Sequence, residues 1–364
     1  MSTVPGLFLH CRTGFEGECA AEIRDRAAAV GVHGYCKAKP DSAYVLFQPQ
    51  GAGDAARVHR QVPLAQLVFA RQWFVALALR KDLPADDRIA PLLESLAGVP
   101  GPVAEVFLET PDTNQGKQLS ALCRSLAAPL RRAMKAAGRL QPDVALRIHV
   151  CFLGTGAAYA GYADLDNSAP AAMGIVRLRV PRSAPSRSTL KLEEALLHFL
   201  SADERGQLLR PGMEAVDLGA APGGWAWQLV RRHLRVTAVD NGAMDPRLLD
   251  SGLVAHRRED GFRYRPPHPV DWMVCDMVEQ PGRIADLAAR WIERGWCRHT
   301  VFNLKLPMKQ RYRELRRCLE HIDIRLQSAR VPYHMSCKQL YHDREEVTTC
   351  RRWCGWASRP RGNG

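Results

Sequence analysis

The chain has 364 residues, 46% of them hydrophobic and 24% charged, with 51 basic against 38 acidic side chains for a formal charge of +13. That length predicts two or three domains with sizeable cores, and the composition is that of a soluble protein: no apolar run approaches a membrane span, and Met1–Leu9 lacks the charged start and apolar core of a signal peptide. The 11 cysteines, an odd number with no Cys-x-x-Cys pair, exclude a disulfide framework and a structural zinc site; Cys19, Cys151 and Cys275 read as small buried residues of a reducing cytoplasm.

From Leu7 to about Tyr162 the pattern is α+β. Leu7–Cys11 and Tyr44–Phe47 read as strands, and Phe15–Val30 as a helix ended by Gly31. Leu64–Leu79 is apolar throughout and ambiguous between strand and helix. Val103–Glu109 alternates as a strand. Lys117–Ala137 has helical spacing up to Gly138 and presents Lys117, Arg124, Arg131, Arg132 and Lys135, a basic face suited to phosphate. Ala145–Leu153 and Ala157–Tyr162, joined by a Gly-Thr-Gly turn, form a hairpin. Prolines among Ser, Ala and Arg then mark Asp164–Arg187 as a linker rather than an ordinary surface loop. Beyond it strands and helices alternate: helix Leu190–Leu200, strand Ala215–Leu218, helix Trp225–His233, strands Arg235–Val239, Leu253–Arg257, Val270–Cys275 and Thr300–Leu304, with helices Arg283–Glu293 and Lys309–His321 among them. Ile324–Ala329 and Glu345–Trp353 read as two closing strands with no helix between, so the last is expected to enter antiparallel. The whole predicts an α/β protein with a mostly parallel sheet after an α+β region.

The most informative stretch is Glu214-Ala-Val-Asp-Leu-Gly-Ala-Ala-Pro-Gly-Gly-Trp225. An apolar strand runs into Gly219, Pro222, Gly223 and Gly224, and a helix follows. This is the plan of a nucleotide-type cofactor site at the first strand of a doubly wound sheet, where helix N–H groups face a crevice. Asp240, Asp260 and Asp276 each follow an apolar strand. One such Asp is more often a cap or turn residue. Three at successive strand ends are expected to converge on one crevice, and Asp240 lies 21 residues after Gly219, where an acid meets ribose hydroxyls. The loop lacks Gly-x-Gly-x-x-Gly, which argues against a nicotinamide dinucleotide. Asp217, two residues before the first glycine, suits a cofactor with an amino-acid end.

This segment resembles the first motif of S-adenosylmethionine-dependent methyltransferases, in the Asp-x-x-x-x-Pro-Gly-Gly form of RNA ribose 2′-O-methyltransferases. Lys191 in Pro185–Glu194, Asp276, Lys305 in Phe302-Asn-Leu-Lys-Leu-Pro307 and Glu346 in Tyr341–Val347 match that group's Lys–Asp–Lys–Glu catalytic tetrad. The chemistry agrees. The sulfonium activates the methyl group, so the protein must position a ribose hydroxyl and accept its proton. A lysine base needs a lowered pKa, which burial and Lys191 favour and Asp276 opposes. Lys305 is the expected base, with Lys191, Asp276 and Glu346 around it. Amino-group methyltransferases need an Asp/Asn-Pro-Pro-aromatic loop where Asp276 is followed by Met-Val-Glu, and carbon-5 cytosine enzymes need a Pro-Cys nucleophile that does not occur.

From Ser183 to Trp353 the chain is similar to the bacterial 23S rRNA cytidine 2′-O-ribose methyltransferase (RlmM) family, with its FtsJ-type methyltransferase domain. The resemblance implies a ferredoxin-like piece at 1–60, a THUMP-like RNA-binding domain at 61–165, a linker at 166–186 and a Rossmann-like domain at 187–364. It implies S-adenosyl-L-methionine as methyl donor, leaving S-adenosyl-L-homocysteine, and a cytidine near the peptidyl transferase centre as target, in naked or precursor 23S rRNA; the alternatives are the same chemistry on a different RNA and an RNA-binding protein with an inactive methyltransferase domain. The pocket would comprise Ser188, Ala221, Pro222, Gly223, Gly224, Asp240 for the ribose hydroxyls, Asp260 for the adenine amino group, and Asp276. Ser188 is also placed to cap the helix after it. A cytoplasmic monomer without metal or membrane partner is expected.

Overall fold

The computed structural model describes residues 5–353. The chain forms two compact units, Met1–Val176 and Arg177–Gly364.

The first unit is built on seven strands: β1 (Gly6–His10), β2 (Gly34–Ala38), β3 (Tyr44–Pro49), β4 (Gln72–Arg80), β5 (Glu105–Glu109), β6 (Leu146–Gly154) and β7 (Ala157–Asp164). They lie in the order β2-β3-β1-β4-β7-β6-β5, and β5–β6 is the parallel pair. The ambiguous run Leu64–Leu79 becomes a short 3-10 turn at Leu64–Gln66 and then β4. Because β4 pairs with β1 on one side and β7 on the other, one sheet runs on across residue 60.

The long helix expected over Lys117–Ala137 is instead two, Asn114–Gln118 and Ser120–Ala136. Local chemistry starts the first one early. The Gly116 N–H donates to Thr113 Oγ1 at 2.9 Å, and a Cβ at Gly116 would lie 2.0 Å from the Pro111 carbonyl oxygen. The second helix buries Cys123, Leu130 and Met134 and leaves Arg124, Arg131, Arg132 and Lys135 exposed.

The second unit has β8 (Glu214–Leu218), β9 (Arg235–Val239), β10 (Val254–Arg257), β11 (Val270–Cys275), β12 (Cys297–Lys305), β13 (Tyr333–Lys338) and β14 (Glu346–Trp353). The order is β10-β9-β8-β11-β12-β14-β13. The first five are parallel; β14 runs antiparallel to both neighbours, as the sequence led us to expect. β8, β11 and β12 are buried almost throughout, the pattern of strands covered on both faces. Helices Thr189–Phe199 and Gly224–Val230 contribute Leu192, Leu196, Trp225 and Leu229 to the same core as Trp272, whose Nε1–H donates to the Leu208 carbonyl at 2.7 Å.

One expected strand is corrected. Ile324–Ser328 belongs to the helix Arg311–Ser328, which Ala329 caps, and the strand lies later, at Tyr333–Lys338. Leu315, Cys318, Ile322 and Leu326 continue one buried helical face, while Ile324 points outward.

Strand order reverses between β8 and β11, so the crevice of an open α/β sheet opens at their carboxyl ends. Asp217 lies within β8, and Asp276 immediately follows β11.

Candidate active site

The loop after β8 needs its glycines for two separate reasons. Gly219 and Gly223 take φ of 76° and 114°, a region that penalises any side chain. Gly224 opens the helix, and a Cβ there would lie 2.2 Å from Ser188 Oγ and 2.4 Å from Ser186 Oγ. The Pro185–Ser188 segment therefore packs directly over the helix start. Ser188 precedes its helix but makes no side-chain cap; its hydroxyl pairs with Ser186 Oγ at 2.6 Å, and its carbonyl accepts the Trp225 Nε1–H at 3.1 Å. The capping role expected for this serine is not the one it plays.

Gly219, Ala221, Asp240, Asp260 and Asp276 line a cleft of about 410 Å3 beyond the strand ends. The convergence of three acids inferred from sequence is thus met, in a volume suited to a small-molecule cofactor. Asp240 accepts the Ala221 N–H at 3.0 Å and the Gly242 N–H at 2.7 Å, bracing the loop while facing the cleft. Asp260 accepts the Phe262 N–H at 2.8 Å and is half exposed.

Asp217 lies beneath this loop, 1% exposed, its carboxylate without a side-chain partner among the described residues and near only the Ala226 N–H. Burial pushes its pKa up to about 8, aided by the charges of Asp276 and Asp240 and opposed by the Ala226 N–H. A buried acid beside two further acids calls for a cation. The ammonium of an amino-acid-bearing cofactor is such a group, so the residues present fit S-adenosylmethionine.

The four tetrad residues come together from four elements. Lys191 sits in the first turn of helix Thr189–Phe199, Asp276 follows β11, Lys305 ends β12, and Glu346 opens β14. Antiparallel register places Glu346 directly opposite Lys305. Lys305 Nζ donates to Asp276 Oδ1 at 2.5 Å and also to Glu346; Lys191 Nζ lies 3.3 Å from Asp276 Oδ2 and pairs with Glu346 as well. Two ammonium groups thus share two carboxylates, with 17% and 21% of the lysine side chains exposed. Burial pulls the Lys305 pKa down, as expected, but Asp276 and Glu346 outweigh it and the net shift is upward. The protein's own charges therefore raise the base expected to be lowered.

Behind the tetrad lies a polar support that the sequence reading did not single out. Asn303 Nδ2 donates to Asp276 Oδ1 at 2.8 Å, and the Thr348 hydroxyl reaches Asn303 Oδ1 at 2.8 Å and Asp343 at 3.0 Å. Burial and the Glu346 charge hold the Asp343 pKa well above the usual carboxylate value. Alternation was the available signal: Asn303 and Lys305 share one face of β12, and Thr348 and Glu346 share the facing side of β14. Glu194 accepts the Tyr341 and His342 N–H groups at 2.8 and 2.9 Å, tying the helix of Lys191 to the turn before Glu346.

Comparison with known proteins extends over both units. Residues 4–74 match the model of an RlmM ferredoxin-like domain, 87–164 that of the ribosomal RNA large subunit methyltransferase M N-terminal region, and 184–352 that of an FtsJ-like methyltransferase. The ribosomal RNA large subunit methyltransferase M of Methylococcus capsulatus is 54% identical, the match covering 96% of this chain and 98% of that protein. Proteins of the same name from Ectopseudomonas mendocina and Cellvibrio japonicus are 53% and 51% identical, each match covering 94% of this chain and 97% of the relative. At that identity and coverage, with Asp276 joining the cleft of the glycine loop to the Lys191–Lys305–Glu346 cluster, the chain belongs to the ribosomal RNA large subunit methyltransferase M family.

Proposed function

We propose that this protein transfers a methyl group from S-adenosyl-L-methionine to the ribose 2′-hydroxyl of a cytidine in 23S rRNA, with Lys305 as the general base. The carrying observation is the Lys191–Asp276–Lys305–Glu346 cluster at the carboxyl end of the sheet, beside the cleft of the glycine loop. Support for the RNA comes from the relatives, which are large-subunit rRNA methyltransferases by name.

When bound, S-adenosylmethionine supplies a methyl group already activated by a sulfonium, leaving S-adenosylhomocysteine. Ser188, Ala221–Gly224, Asp240 and Asp260 would hold it; buried Asp217 keeps its proton without ligand and would become a countercharge on releasing it as the cofactor's ammonium binds. Asp276 then has two duties, lining the cleft and orienting the Lys305 amine. Lys305 accepts the 2′-hydroxyl proton at Nζ once that nitrogen is free of its own. Its carboxylate partners resist this, but Lys191 divides their attraction. RNA laid over the partly exposed amine removes further water, deepening the burial that already pulls this pKa down. Asn303, itself held by Thr348, fixes the Asp276 carboxylate in place.

In the first unit, the exposed Arg124, Arg131, Arg132 and Lys135 offer phosphate contacts, the role a THUMP-like domain would have. The protein acts in the cytoplasm as a monomer on this reading. The test is to incubate it with methyl-labelled S-adenosylmethionine and unmodified 23S rRNA, digest the RNA and map the label. One ribose-methylated cytidine is expected. Label on a base, or none on the rRNA, contradicts the proposal.

A further inference from the structure

Among the described residues, the large hydrophobic side chains left most open to water are Val278 and Met308, each 91% exposed against 59% for Ile324. A single exposed aliphatic residue needs no special reason. These two share an address. Val278 lies two residues beyond Asp276, on the loop leaving β11, and lines the cofactor cleft. Met308 lies three residues beyond Lys305, on the loop leaving β12, the strand paired in parallel with β11. Pro307 and Lys309, on either side of Met308, are exposed too. Both apolar groups thus flank the tetrad at the open end of the sheet, beside an exposed cation.

We propose that Val278 and Met308 grip the base of the nucleotide whose ribose is methylated; the inference rests on the ribose methylation proposed above. A ribose can reach a recessed amine only if its nucleotide leaves the stack, and its base then exposes apolar faces to water. Aliphatic side chains of the Leu, Ile, Met and Pro type are the wedges proteins place against such faces. The two loops present Val278 and Met308, with exposed Pro307 beside Met308, and Lys309 stands ready for the adjoining phosphate. Apolar contact reads no base edge. The pair therefore holds the nucleotide in line with the tetrad and leaves the choice of base to other contacts.

The test uses the 364-residue chain and its Val278→Ser, Met308→Ser and doubly substituted variants, with unmodified 23S rRNA. Removing apolar support from a base should lower kcat/KM for RNA by roughly tenfold to a hundredfold in the double variant. Affinity for S-adenosylmethionine by calorimetry should hold in Met308→Ser, whose residue lies outside the cleft lining, the thermal midpoint should hold in all three variants, and Val278→Ile with Met308→Leu should keep turnover. A fluorescent cytidine analogue at the target position should change emission on binding the wild-type protein and not the double variant. Unaltered RNA kinetics in the double variant overturn the proposal, as does a loss explained wholly by weaker cofactor binding. A wild-type protein that leaves rRNA unmethylated refutes the parent reading instead.

Discussion

Lys305 holds two opposing demands in one amine. As proposed base it must release its proton, yet Asp276 and Glu346 hold that proton in place more strongly than burial expels it. Removing the Glu346 charge weakens the hold, so the amine deprotonates at lower pH. Glu346→Gln should therefore shift the ascending limb of the kcat/KM profile toward acid, whatever it costs in absolute rate; a limb that stays or moves to higher pH contradicts the arrangement. Asp217 offers a test free of RNA. Its folded-state pKa of about 8 stands above the ordinary 3.8, so the folded protein keeps a proton that the unfolded chain releases. The cost of burying it grows as pH rises through that window and levels off above it. Asp217→Asn should accordingly gain thermal stability over the wild type between about pH 4 and pH 8, without ligand, while losing affinity for S-adenosylmethionine. Parallel stability curves would contradict the buried charge.

Elements were legible wherever chemistry was local. The run Glu214–Leu218, the glycines after it and the acids at Asp240 and Asp276 place strand, turn and cleft without any tertiary information. The Ser201–Glu204 capping box at the start of helix Ala202–Leu208 was equally local, but the sequence reading passed over it. What could not be read depends on partners. Ile324–Ala329 looks extended until Ile322 and Leu326 are seen to complete a helix face. The Asn303–Thr348 hydrogen bond depends on a register between β12 and β14 that spacing alone does not announce. Ser188 shows the same limit, since its position predicts a cap and packing against Gly224 gives it another role. Helix Ser120–Ala136 can be tested as an element. If its exposed basic residues bind phosphate, Arg131→Glu with Arg132→Glu should weaken RNA binding and flatten its salt dependence by about one unit of slope for each phosphate no longer neutralised. An unchanged slope would remove this helix from the interface.

At the scale of the whole molecule, a sheet with antiparallel additions places four distant positions, 191, 276, 305 and 346, in one cluster. The chain's net charge of +13 fits a polyanionic substrate, though charge alone names no reaction. Family membership points to methylation of large-subunit rRNA, and the tetrad carries the finer proposal of a ribose hydroxyl as acceptor. The proposed chemistry stands on Lys305 taking the ribose proton. Single-turnover methylation of 23S rRNA by the wild-type protein and Lys305→Ala, alongside calorimetry of each with S-adenosylmethionine, isolates that step. Cofactor affinity should be unchanged and the rate lower by about 10²- to 10⁴-fold in the variant. A variant that methylates the same ribose at the wild-type rate would show that the proton leaves by another route.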